Sequence, residues 1–462
     1  MNASPPTRRT LLGLAVLAGA SVLTGCATGD EPGGKGEKQS PSGRPQTDPA
    51  RLEDAPPAAD SASAASPDGA WRYTHLAPED GASYRAMAVA SRDDVWLLGT
   101  RKSSSAPFLE HWDGTRWSAP ELPDALKAGD PSSSWALAVG APGELWLARR
   151  AAGGGGGGPA VFHRTGGAWR RLPEPPAVRG DVGTYSPTEA AWCVASGTGL
   201  WVNHYGKVLH WDGQRWDVPA LPFAATALAA APAEDGTPRA WAAGWHDPGC
   251  DRDICYPQPA TARWSDGAWQ PLDTPTYRFP DPVPPEPSAS LDALVHDPVG
   301  DRLWALGRHD FNHGEVEEEP ESQEIVLTGD GTSWTRVVVA DVGRVFTTAT
   351  SVADGAGGLL LDTRMRRTPD GKLHKLRGPE RLPEPSEVPK PKRKYDFDQP
   401  FQAVVTRLIP GTRTVLAAGV VTFPNSSDRG DTPRRPALAR YDADGAEGAE
   451  GDEGAKSAKG AD

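Results

Sequence analysis

The stretch Leu109-Glu-His-Trp-Asp-Gly-Thr-Arg-Trp117 decides how this chain is read. An apolar and aromatic run meets Asp113-Gly114, and a second Trp follows three residues later. Glycine supplies the positive φ that a tight hairpin needs, so the stretch reads as strand, turn, strand. It returns along the chain. Leu209-His-Trp-Asp-Gly-Gln-Arg-Trp216 is a near copy, and Phe162-His-Arg-Thr-Gly-Gly-Ala-Trp169, Arg263-Trp-Ser-Asp-Gly-Ala-Trp269 and Leu327-Thr-Gly-Asp-Gly-Thr-Ser-Trp334 are weaker ones. Recurrence at roughly 50 residues points to a solenoid, a propeller or an array.

The residues around each copy repeat as well. In the first repeat, Arg85-Ala-Met-Ala-Val-Ala-Ser91 is a strand of small and apolar residues, Arg92-Asp-Asp94 turns the chain, and Val95-Trp-Leu-Leu-Gly-Thr100 is a second strand. Branched and aromatic residues suit a pleated surface. A third strand runs from Phe108 to Asp113, and Trp117 opens a fourth that ends near Leu122-Pro123. Four short antiparallel strands followed by a restart make a propeller blade. Inner strand pairs begin near Met87 and Val95, Ala136 and Leu145, Trp192 and Leu200, Leu228 and Ala240, Leu291 and Leu303, Thr347 and Leu359, and Val404 and Val415, which gives seven blades. The alanine-rich first strands fit the crowded axis of such a ring. Of the 17 Trp, all but Trp135, Trp192 and Trp245 are assigned to second, third or fourth strands.

The two ends of the series complete each other. The last repeat stops at a third strand, Leu438-Ala-Arg-Tyr-Asp-Ala-Asp-Gly445, while Asp68-Gly-Ala-Trp-Arg-Tyr-Thr-His75 is a fourth strand with no blade before it. Pairing them removes an exposed sheet edge. The expected fold is therefore all-β: a seven-bladed β-propeller of four-stranded antiparallel blades over residues 68–445, closed by an N-terminal strand.

The residues before the ring read as an address. Arg8-Arg9 precede an apolar run of thirteen residues, Leu11 to Leu23, too short to span a bilayer comfortably and of signal-peptide type. Thr7-Arg-Arg-Thr-Leu-Leu12 resembles a twin-arginine export signal, and Leu23-Thr-Gly-Cys26 resembles the lipobox of bacterial lipoproteins. The second resemblance implies that residues 1–26 form a signal peptide with its lipidation site, cut before Cys26, whose sulfur then carries a diacylglyceryl thioether. Two acyl chains suffice for stable anchoring on the outer face of the cell membrane.

Residues 27–67 are Gly, Pro, Ser, Asp and Ala with almost no large apolar residue, and are expected to be a disordered tether. Residues 446–462 form a similar acidic tail, with five acids against two lysines. The formal net charge of −13 disfavours nucleic acid as a partner. Four Cys in 462 residues are not a disulfide framework. Cys193 reads as a buried small hydrophobe. Cys250 and Cys255 flank one short loop and are expected to form a disulfide outside the membrane; a metal clip is the alternative, without a second pair to complete it.

Turns between first and second strands, and between third and fourth, share one face of the ring and are short. The other face receives the long connections, 272–288, 308–323, 376–400 and 422–436, and long loops on a rigid scaffold are where binding residues gather. An axial pocket on that face is the expected site. Trp245-His-Asp247 and Arg308-His-Asp310 begin two of these loops on adjacent blades. His246, Asp247, His309, Asp310 and His313 are the candidate ligands for a divalent metal, since imidazole and carboxylate suit several such ions; two solvated acidic loop tips are the alternative. No other cofactor is indicated. The acidic run Glu315 to Glu321 lacks the spacing of an EF-hand loop, and Lys390-Pro-Lys-Arg-Lys-Tyr395 reads as a solvated loop or a contact for an anionic envelope polymer.

Endings such as Trp117-Ser-Ala-Pro-Glu-Leu-Pro123 and Trp216-Asp-Val-Pro-Ala-Leu-Pro222 resemble the closing strand of kelch-type, galactose-oxidase-like repeats over residues 68–445. The Gly-Gly doublet of kelch repeats is absent, and the copper constellation of galactose oxidase has no match, so the resemblance implies the fold and not copper chemistry. No Ser-His-Asp motif, phosphate-cradling loop or nucleotide fingerprint is found. The leading expectation is a membrane-anchored, monomeric binding module or scaffold for a wall polymer or an envelope protein. The alternative is an envelope enzyme acting on a carbohydrate or small metabolite in the axial pocket, with or without a metal.

Overall fold

The computed structural model describes residues 69–78, 81–102, 104–127, 133–151, 158–178, 192–233, 235–247, 256–278, 287–310, 322–338, 350–382, 400–423 and 434–443. The expectations for 1–68 and 444–462, among them Arg8, Arg9, Cys26, the tether and the acidic tail, lie outside these residues, as do Cys250, Cys255 and His313.

The first strand of the chain, β1 (Arg72–Leu76), belongs to the last blade. Blade one is β2 (Ala82–Ser91), β3 (Asp94–Arg101), β4 (Pro107–Trp112) and β5 (Trp117–Ser118). A single helical turn, α1 (Asp124–Lys127), leads to blade two: β6 (Ser134–Ala138), β7 (Leu145–Arg150), β8 (Ala160–Thr165) and β9 (Ala168–Arg171). Blade three is β10 (Cys193–Ser196), β11 (Gly199–His204), β12 (Lys207–Trp211) and β13 (Trp216–Asp217). Blade four is β14 (Ala224–Pro232), β15 (Pro238–His246), β16 (Gln258–Ser265) and β17 (Ala268–Leu272). Blade five is β18 (Ser288–Asp297), β19 (Arg302–Asp310), β20 (Gln323–Gly329) and β21 (Trp334–Arg336). Blade six is β22 (Val352–Ala353), β23 (Leu359–Leu360), β24 (Met365–Arg367) and β25 (Leu373–Lys375). Blade seven is β26 (Phe401–Leu408), β27 (Thr414–Thr422) and β28 (Arg434–Asp442), completed by β1. All seven sheets are antiparallel and four-stranded, as the repeats predict. Trp245 lies inside the second strand β15, not beyond it as the sequence suggested, because β15 extends to His246.

The core is a set of seven seams, one between each pair of neighbouring blades. Within β3, Val95 and Leu97 pack toward blade seven, whereas Trp96 and Leu98 pack toward blade two. Successive side chains of a strand point to opposite faces, and here both faces are covered. This is why the second strands read as unbroken apolar runs instead of alternating ones. Three of the Asp-Gly turns are held by their own carboxylates: Asp113 Oδ1 accepts from the backbone N–H groups of Thr115 (2.9 Å) and Arg116 (3.0 Å), and Asp212 and Asp330 repeat the arrangement. The two Trp of the motif then face one another across the hairpin, Trp112 with Trp117 and Trp211 with Trp216, with ring centroids 5.7 and 5.4 Å apart.

Closure of the ring is bonded on three sides. β1 pairs with β28, Arg72 opposite Arg440 and Leu76 opposite Ala437. Trp71, just ahead of it, is 1% exposed and donates through Nε1 to the Thr363 carbonyl (2.7 Å) of blade six. On the other side His75 stacks on Trp117 at 4.1 Å and lies 3.5 Å from Glu110, which accepts the Tyr84 hydroxyl at 2.5 Å.

The first strands of blades one, four, five and seven each carry a bulge, between Tyr84 and Ala86, Ala225 and Ala227, Leu291 and Ala293, and Ala403 and Val405. A glycine of the second strand stands opposite each of them: Gly99, Gly244, Gly307 and Gly419. At three of them, Gly244, Gly307 and Gly419, a Cβ would meet the carbonyl oxygen of the residue just before the bulge, Ala224, Ser290 or Gln402, at 2.0, 1.9 or 2.0 Å, a close approach open only to glycine. Blade six has no Trp at all. There Arg366 occupies the third-strand position, opposite Leu360, and its Nε donates to Asp354 Oδ2 at 2.7 Å, both side chains fully enclosed. Asp354 Oδ1 also accepts the backbone N–H groups of Ala356 and Gly358, so one carboxylate holds both the turn and the buried guanidinium.

Candidate functional site

First strands of all seven blades surround an axial cavity of about 1150 Å³. Its wall is formed by the C-terminal halves of these strands and by the turns that follow them, such as Ala141-Pro142 and Pro410-Gly411. It therefore sits toward the face of the short first-to-second turns. The sequence had placed the pocket at the other end of the axis. Toward that end, Thr226 Oγ1 of β14 donates to the Leu291 carbonyl of β18, tying two neighbouring first strands together, while beside the cavity itself Thr406 Oγ1 donates to the Thr350 carbonyl (2.8 Å). Loop length locates variable surface, but the taper of the strands locates the space.

The cavity mouth carries a cluster of charge between blades four and five. Arg239 makes a two-pronged contact with Asp301, at 2.6 and 2.8 Å, and also donates to the Pro232 carbonyl at 3.1 Å. His296 Nε2 lies 2.7 Å from the same carboxylate. The Arg239 guanidinium lies over the Trp241 ring, which stacks on His296. Hydrogen bonding from Arg239, reinforced by His296, draws the Asp301 carboxyl down to about 2. These groups hold one another and brace two blades at the rim.

Deeper in, the wall is aliphatic, and none of its residues is Trp, Tyr or Phe. Cys193 lines it, 3% exposed, and burial pushes its thiol up to about 12, so it stays a thiol at neutral pH. Ser196, Ser351 and Thr406 add hydroxyls to this wall, and Arg407 of β26 adds a charge. It is partly exposed on the cavity wall, donates to the Thr406 carbonyl at 2.8 Å, and is pushed down to about 10 by burial. Sequence reasoning passed over Arg407. A signal was there: Val405-Thr-Arg-Leu408 places a charge late in a first strand, where the other repeats have small or aliphatic residues.

The predicted metal residues fall elsewhere. His246 and His309 do occupy matching places: His246 pairs across its blade with Gln258, and His309 with Gln323. Their surroundings differ. His246 is partly exposed and Asp247 exposed, whereas His309 is buried in β19 against Tyr277, ring centroids 5.4 Å apart. Burial, with help from the nearby Arg336 charge, lowers the His309 pKa. Asp310 accepts the Ser322 hydroxyl. Among the described residues, no three His, Cys, Asp or Glu side chains are grouped closely enough to hold a metal ion. His309 lies inside a strand and not on a loop tip because its sheet pairing continues one residue past it, to Asp310 opposite Ser288.

No protein-family model matches the chain, and no curated protein does either. Solved structures that it resembles include the β-propeller domain of the trilobed protease from Pyrococcus furiosus, at 10% identity over 78% of this chain and 96% of that one, with a TM-score of 0.42. A polysaccharide lyase matches at 11% identity over 86% and 95%, with a TM-score of 0.41. The fucose-specific lectin from Aleuria aurantia matches at 13% over 57% and 79%, with a TM-score of 0.32. Likenesses this distant concern the fold alone.

Proposed function

We propose that this chain is an extracytoplasmic binding module: a kelch-like propeller, lipid-anchored on the outer face of a bacterial cell membrane, that holds a small ligand in its axial cavity. The cavity carries the reading. Ligand sites are concave, largely preformed and mostly apolar, with volumes of roughly 300–1,000 Å³. A space of about 1150 Å³, walled by first strands from every blade of a closed ring, is concave and largely apolar and lies just above that range. The rim favours holding over chemistry, because Arg239, Asp301 and His296 are engaged with each other and brace blades four and five. The anchor is supported by the sequence Leu23-Thr-Gly-Cys26 behind its apolar run. A wall polymer or envelope protein would meet the opposite face, where the long connections emerge.

The test is a panel of neutral and charged aliphatic, aromatic and sugar probes followed by ligand-observed NMR. The wild-type chain is compared with one carrying Val194→Phe and Val295→Phe, two partly exposed wall residues. Probes held in the cavity should lose binding in the filled chain, while far- and near-ultraviolet circular dichroism stays unchanged. Probes bound equally by both chains would put the site elsewhere.

A further inference from the structure

Two polar groups on the cavity wall have bonding capacity that the fold does not use. Ser196 ends β10, is 2% exposed, and its Oγ has no hydrogen-bond partner among the described residues. His296 of β18 has its Nε2 2.7 Å from Asp301 and its ring stacked on Trp241, and among the described residues its Nδ1 has no hydrogen-bond partner. We propose that Ser196 and His296 are the polar contacts by which the cavity holds an uncharged, hydroxyl-bearing ligand with a compact carbon frame. This deepens the binding reading above and rests on it.

A buried hydroxyl that bonds nothing is costly, so a fold that keeps one at a cavity wall leaves it for something that enters the cavity. At His296 the direction of the bond is fixed. An ionised Asp301 can only accept, so the imidazole proton sits on Nε2 and Nδ1 offers its lone pair to a ligand O–H. Ser351 and Thr406 donate to the carbonyls of Leu361 (2.6 Å) and Thr350 (2.8 Å), and their oxygens keep lone pairs as well. Charge selects against ions. The cavity is lined by Arg239 and Arg407 and by Asp235 and Asp301, so its formal charge is balanced and favours neither sign. Ala88, Ala138 and Val352 supply methyl groups against which a carbon frame packs. An apolar pocket with a few placed polar groups takes its specificity from those groups.

Ligand-observed NMR titrations of the purified full chain test it with four probes on one ring: trans-1,4-cyclohexanediol, its dimethyl ether, cyclohexanecarboxylate and cyclohexylammonium. The diol should bind at least about tenfold more tightly than the other three. Ser196→Ala should weaken the diol about tenfold and leave the ether unchanged. It should not lower the melting temperature, because the hydroxyl it removes bonds nothing in the fold. His296→Phe keeps a ring on Trp241, removes Nδ1, and should weaken the diol to a similar extent; if that chain fails to fold, Ser196→Ala carries the test. Equal binding of diol and ether, a charged probe that binds as tightly as the diol, or diol affinity untouched by Ser196→Ala overturns the inference. So does a lowered melting temperature of Ser196→Ala, which would make the hydroxyl structural. Absence of binding by all four probes overturns it too. The cavity reading falls separately, when probes of the wider panel bind the chain filled by Val194→Phe and Val295→Phe as tightly as the wild type.

Discussion

Asp354 and Arg366 show what a single residue carries in this ring. Their ion pair is enclosed on all sides, and Asp354 also accepts two backbone N–H groups of its turn. Removing one partner leaves the other buried without its counter-charge, a loss that typically costs about 3–5 kcal/mol. Asp354→Ala should therefore lower the unfolding free energy by about that amount, read from urea melts, and a loss below about 1 kcal/mol would mean that Arg366 finds another anion. His309 makes the corresponding pH argument. Burial and Arg336 depress its pKa below the ordinary value near 6.5, so the folded ring holds its proton less tightly than the unfolded chain does. A depressed value stabilises the fold above about pH 6.5, and the contribution is lost as pH falls through that value toward the lowered one. The same direction holds for His163 and His210, both lowered chiefly by burial. The urea midpoint should fall between pH 7.5 and pH 5, and His309→Gln should remove part of that fall. An unchanged slope would place the proton uptake on other groups.

At the scale of the element, the strand that closes the ring is β1. It hydrogen-bonds to β28, and the segment it belongs to inserts Trp71 against blade six and His75 against blade one. Deleting residues 27–66 should leave the melting temperature where it is, whereas deleting residues 68–76 should lower it sharply, because a closed sheet loses its outer strand and two seams lose a wall. Equal melting temperatures for the two chains would show that the ring does not depend on closure. This strand was legible because its grammar is local: a Trp behind Asp-Gly, with no blade before it. The blade count was legible for the same reason, since Asp-Gly turns with paired Trp residues recur where the third strand meets the fourth in blades one, three and four, and degraded copies mark blades two and five. Blade six was harder to read, because it has no Trp and its buried Arg366–Asp354 pair leaves no motif. The bulges were not read either, although Leu98-Gly99, Ala243-Gly244, Leu306-Gly307 and Ala418-Gly419 repeat a glycine at one second-strand position. What hid them is that a bulge is set by a carbonyl of the neighbouring strand, which no single strand's sequence displays.

For the whole molecule, the site was the part least legible. Loop lengths pointed to one face of the ring, but the free volume follows from how seven first strands taper toward the axis, and register across blades is needed to see Arg407 among its six aliphatic equivalents. The same whole-molecule view bears on attachment. The seams consume the large apolar side chains, and among the described residues the exposed large hydrophobics are Val218, Val299 and Val338 alone. Three scattered valines make no patch with which to lie on a bilayer. The formal charge of −13 is repelled by an anionic membrane surface. These observations favour the proposal that a covalent anchor holds the ring at the membrane, and Cys26 is the residue whose neighbours fit one. A single acyl chain binds marginally and two bind stably, so the anchor on Cys26 should decide the partition by itself. Cys26→Ala should move the folded ring from the membrane fraction to the soluble one, or leave it as a precursor retaining residues 1–25, with the melting temperature of the ring unchanged. A Cys26→Ala chain that is still processed and still partitions into detergent would show that the ring holds to the membrane by a surface of its own.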